Sequence, residues 1–158
     1  MMKYRGKPRG FSLVELLIVV GIILIISALA IPKLLRSKMA ANEGSAVSSL
    51  RTLNSSCVTY SSTWSGFPLQ LSYMGPGKPY SSKTADLIDA VLAAGTKSGY
   101  TFSYISGAPS GGQIRSYTIS ASPSISNLTG TRYFFTDQTG VIRQNSGAPA
   151  TATSTPLK

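Results

Sequence analysis

The sequence predicts an α+β fold in which one long N-terminal helix, apolar all round in its first half and amphipathic in its second, packs on a small antiparallel β-sheet head. Three observations predict it. Residues 11–31 form a nearly unbroken apolar run, the stretch from Lys33 to about Trp64 repeats apolar residues at helical spacing, and four short runs after residue 99 alternate apolar with polar side chains. The length, 158 residues, suits one domain with an appendage better than two globular units.

The first segment, residues 1–10, carries Lys3, Arg5, Lys7 and Arg9, and three more cations, Lys33, Arg36 and Lys38, follow the apolar run. The formal net charge of +10 is therefore concentrated around one hydrophobic segment. Basic residues on the N-terminal flank keep that end in the cytoplasm, a bias that the downstream cations weaken. No recognition motif accompanies the charge, so no specific nucleic-acid partner is expected. Composition also argues against an enzyme. There is no histidine, one cysteine and five carboxylates, a poor stock for acid–base or metal chemistry, and neither catalytic residues, a metal nor a cofactor is expected.

Residues 11–32 form the second segment. From Phe11 to Ile31 a helix would span about 31 Å, the thickness of a bilayer core. Ser27-Ala28-Leu29-Ala30 faintly resembles a signal-peptidase site, but the run is longer than a secretory signal requires. Glu15 lies inside the run, where a carboxylate costs about 2.5–3.5 kcal/mol if carried to the bilayer centre. Either it stays at the interface and gains from the helix N-terminal dipole, or it finds a cationic partner, for which a free α-amine on Phe11 is a compact candidate. Pro32 ends the run, and its missing N–H should kink or loosen the helix.

In residues 33–65 the apolar positions Ala46, Leu50, Leu53, Cys57, Tyr60 and Trp64 make one face, and Asn42, Ser45, Ser48, Thr52, Ser55 and Thr59 the other. Cys57 is expected in the core, not as a reactive thiol. Residues 66–145 should form the β-rich head. Within it, Thr84–Ala94 reads as a short helix capped by Thr84 and stopped by Gly95, with Asp86 and Asp89 in its first turns rather than on a metal. Strand-like runs follow at 100–105, 116–121, 132–136 and 141–144, the last two joined by Asp137-Gln138-Thr139-Gly140. The aromatics of these strands are expected in the core. Residues 146–158, rich in Ser, Thr, Ala and Pro, read as a mobile tail.

The stretch Arg9-Gly10-Phe11-Ser12-Leu13-Val14-Glu15-Leu16-Leu17 resembles the cleavage and methylation motif of type IV prepilins and pseudopilins. The resemblance is specific over residues 5 to about 40. It implies a pilin-like fold, cleavage after Gly10 by a prepilin peptidase, N-methylation of Phe11, and assembly through Phe11 and Glu15, with Glu15 pairing the Phe11 amine of an adjacent subunit. It implies as partners further copies of the chain in a helical homopolymer, the peptidase, the inner-membrane assembly machinery and, before assembly, the membrane. The precursor would sit in a bacterial inner membrane with its N-terminus cytoplasmic, and the product would be a surface filament. The alternative is a type II secretion pseudopilin, with a periplasmic filament; major pseudopilins carry an acidic calcium loop near the C-terminus, whereas Asp137 is the only acid after Asp89 here. A third reading is a single-pass anchored binding protein that never polymerises. Cys57 has no second cysteine, so the disulfide-closed C-terminal loop of some pilins does not carry over.

Overall fold

The computed structural model describes residues 10–157, and the chain divides after Arg36 into two units. The first unit is helical from Leu13 onward, and none of its described residues is buried. Its helix is long and apolar enough to cross a membrane, and the apolar window has no part covered by protein. The helix, α1, spans Leu13–Trp64 and continues unbroken through Pro32, so the missing N–H there does not end it.

The second unit, Ser37–Lys158, holds the core. Ala46, Leu50, Leu53, Cys57 and Tyr60 of α1 are buried and Trp64 is half-buried, as the periodicity requires. The polar face is less uniform than expected. Ser48, Thr52, Ser55 and Thr59 are exposed, but Asn42 and Ser45 are half-buried; the Asn42 side chain donates to the Thr129 carbonyl at 2.9 Å and the Ser45 hydroxyl to Ser98.

Against the apolar face of this half of α1 lies a six-stranded antiparallel meander in sequence order, β1 (Thr96–Lys97), β2 (Tyr100–Ser106), β3 (Tyr117–Pro123), β4 (Arg132–Asp137), β5 (Arg143–Ser146) and β6 (Thr155–Pro156). Alternation along β2 and β3 puts Tyr100, Phe102, Tyr117, Ile119 and Ala121 into the core, and Phe134 joins them from β4. Thr136 is fully buried, and its hydroxyl accepts from Asn54 of α1 at 2.9 Å while the Tyr117 hydroxyl donates to the same amide. These bonds satisfy polar atoms that burial would otherwise penalise.

Three segments differ from the sequence reading. The helix expected over 84–94 is confined to α2, Ala90–Ala93. The N–H groups of Ala85, Asp86, Leu87 and Ile88 are taken by the carbonyls of Tyr73, Met74 and Gly75, so that stretch is tied to a neighbouring loop instead of turning on itself. Thr84 caps nothing; its hydroxyl donates to Pro79, and Asp89 is the true cap, accepting from Leu92 at 2.8 Å. Gly95, at φ 79°, stops α2 as expected.

The last of the four expected strands is β5, which begins at Arg143 rather than Val141, because Ile142 turns into the core and its carbonyl accepts from Leu157. The turn before it forms where expected: the Asp137 carboxylate accepts from the Thr139 N–H, the Gly140 N–H closes on the Asp137 carbonyl, and Gly140 takes a φ of 76°. In place of a free tail, residues after Ser146 return to the sheet. Thr155–Pro156 pairs with Arg143 and Gln144, Ala150 is buried, and Leu157 packs against the core.

Leu53 has no exposed surface and Ser48 lies in solvent. Leu53→Ala should therefore cost about 2–5 kcal/mol, and Ser48→Ala less than about 0.5 kcal/mol. Chemical denaturation of a chain truncated to begin at Lys33, which should be soluble, measures both.

Candidate processing and assembly site

The short N-terminal segment brings three of the expected site residues together. Gly10 is exposed, with open space where a Cβ would stand, and Phe11 is 81% exposed, so both are accessible. The basic residues Lys3, Arg5, Lys7 and Arg9 lie outside the described residues. Pro32 stands far along α1 from this group.

Glu15 is in the first turn of α1 and exposed. Its Oε2 accepts from the Ser12 N–H at 2.9 Å, while the Ser12 hydroxyl accepts from the Val14 N–H at 3.3 Å and the Ser12 carbonyl from the Leu16 N–H at 3.2 Å. This is a capping box: an N-cap serine and a glutamate three residues on satisfy orphan donors of the first turn. Ser12 is a residue that sequence reasoning passed over, although Ser-x-x-Glu before an apolar run is the signature of such a start. The carboxylate thus has a partner on its own chain at the edge of the apolar run.

Elsewhere Cys57 and Asp89 have structural roles. Burial pushes the Cys57 thiol up to about 12, and its Sγ rests 3.8 Å from Met74 Sδ, which makes it an inert core atom. Asp89 pairs with Lys97 at 2.8 Å, and that contact with the Leu92 N–H holds its carboxyl below the usual range. Asp86 is exposed, and among the described residues no three His, Cys, Asp or Glu side chains gather as metal ligands.

The second overlooked residue is Glu43, buried to 6% exposure beside the start of β4. One oxygen accepts from the Thr131 N–H and hydroxyl and from the Arg132 N–H at 2.8, 3.0 and 3.2 Å; the other takes the Arg132 Nε at 2.7 Å. Arg132 continues to Gln144 Oε1 on β5 at 3.0 Å and lies over the Phe134 ring. Burial acts to raise the Glu43 pKa, but the Thr131 and Arg132 bonds outweigh it and leave the carboxyl below its ordinary value.

An accessible Gly–Phe junction, a glutamate in the first helical turn and an uncovered apolar window thus stand together at the N-terminal end of this α+β chain. The comparison with protein families makes this specific: residues 5–31 match the family described as the prokaryotic N-terminal methylation motif, the prepilin-type motif of type IV pilins and pseudopilins. No curated protein and no solved structure matches the chain.

Because the Glu43 carboxyl titrates below its ordinary value when folded, its stabilising effect is complete above the ordinary glutamate range and is lost as pH falls through the lowered value. Glu43→Gln should cost about 1–3 kcal/mol at neutral pH. It should also flatten the fall in denaturation midpoint on acidification, so stability curves of the two chains converge at low pH.

Proposed function

We propose that the chain is the precursor of a structural subunit of a type IV pilus-like surface filament, cut after Gly10 by a prepilin peptidase, N-methylated on Phe11 and polymerised through α1. The observation that carries this reading is the motif at residues 5–31 together with the apolar window of α1, which among the described residues lies uncovered. Such a surface needs lipid before assembly and copies of itself afterwards. The mechanism is packing. Residues 11–31 exchange lipid for neighbouring helices, and the Glu15 carboxylate exchanges the Ser12 N–H for the Phe11 amine of an adjacent copy, which sets the axial register. Net stability from that pair is offset by desolvation, so its main effect is specificity. Pro32, where one ladder bond is missing, is the place at which α1 can bend during packing. No catalytic role falls to any residue.

The pilus is preferred over a type II secretion pseudopilus on one point of sequence and geometry: Asp137, the only acid after Asp89, closes its own turn through Thr139. Electron microscopy of surface filaments, in cells with and without the gene, tests the reading.

Two outcomes are expected. N-terminal mass analysis of the surface form should start at methylated Phe11, and a bulky residue at Gly10 should block cutting, because a side chain beside the scissile bond obstructs close backbone approach; a start at Met1 or Leu29 would exclude this processing. Glu15→Leu should leave a membrane-integrated protein with strongly reduced filament yield, since the neighbour's amine is then unpaired. Wild-type yield from cells making only this variant removes Glu15 from the register.

A further inference from the structure

Directly after the apolar run, α1 carries Lys33, Leu34, Leu35 and Arg36, all exposed. Lys33 and Arg36 are three residues apart and so lie on one side of the helix about a turn apart. Leu34 and Leu35 beside them are 69% and 43% exposed. An exposed turn that combines two cations with two leucines is the composition of a segment lying at a lipid–water boundary.

Neither cation has a carboxylate to answer it. The sequence holds no acid between Glu15 and Glu43, so no partner exists at helical spacing, and Glu43 is committed to Thr131 and Arg132. Among the described residues the ion pairs involve Lys97 and Arg132 only. Length places the turn as well. A helix over residues 11–31 fills the hydrocarbon core, so Lys33 arrives where lipid phosphates begin, and long basic stems can lie along the acyl boundary while their heads reach those phosphates.

We infer that Lys33 and Arg36 form a binding site for anionic phospholipid headgroups, such as phosphatidylglycerol, in the leaflet from which α1 emerges. The site holds the unassembled subunit at a set depth and is vacated when the subunit leaves the bilayer. It rests on the membrane-anchored reading and not on polymerisation.

The test uses the full chain in phosphatidylcholine vesicles containing spin-labelled phosphatidylglycerol or spin-labelled phosphatidylcholine, with the fraction of motionally restricted lipid read by electron spin resonance. The wild-type chain should select the anionic label several-fold at low salt and lose much of that selectivity near 1 M salt. K33Q/R36Q should lower the selectivity to the remainder contributed by Lys38 and the leader, and K33R/R36K should retain it. Equal selectivity of wild type and K33Q/R36Q, or none in the wild type, overturns the site while leaving anchoring intact. Release of the chain from vesicles by alkaline carbonate would overturn the anchoring reading together with the site.

Discussion

One half-helix covers one sheet face, and the Ser37–Lys158 unit rests on that. Tyr100, Phe102, Tyr117, Ile119 and Phe134 bring large side chains to one side of a meander that cannot be left open to water. The stripe from Ala46 to Tyr60 is what α1 offers to close it, and Leu50, Leu53 and Cys57 have no exposed surface as a result. With a single free cysteine and no disulfide, apolar burial and the polar bonds that thread it hold this unit together. Glu43 acts at one end of the stripe and Asn54 near its middle, so the helix is registered on β4 at two points as well as packed against the sheet.

The same helix obeys a different rule before Arg36. Its apolar residues are displayed on every side, a pattern that suits a surrounding of hydrocarbon or of like helices and makes no sense in water. Polar exceptions in this half are therefore the informative residues. Glu15 is tolerated because the Ser12 amide meets it locally and because it stands at the end of the run, while Lys33 and Arg36 stand at the other end.

The helix, its buried stripe, the strand alternation and the Asp137–Gly140 turn were all legible, because each depends on local periodicity or on local turn chemistry. Glu43 was legible too. It lies three residues before Ala46 and so continues the stripe that runs through Leu50 and Leu53, but a carboxylate on that stripe needs partners that no local pattern announces; only the fold brings Thr131 and Arg132 to it. Residues 84–89 were misread for the opposite reason. Their apolar spacing is helical, yet the carbonyls of residues 73–75 compete for their amides, and competition between distant segments leaves no trace in a local pattern. The return of residues 147–157 to the sheet was hidden in the same way, since Ser, Thr and Pro suit an edge strand as well as a tail. At the N-terminus the motif made Gly10, Phe11 and Glu15 stand out, and the capping role of Ser12 could have been read from the stretch Ser12-Leu13-Val14-Glu15 within it.

The last strand also bears on how such a protein behaves when crowded. In the filament proposed above the chain meets many copies of itself, and an open strand edge would let two sheets zip together in an amyloid-like stack that competes with ordered growth. Here β6 puts a proline, which has no N–H to lend, at one outer edge, and β1 at the other is only two residues long and bears Lys97. The two margins of the sheet are thereby poor templates for a foreign strand.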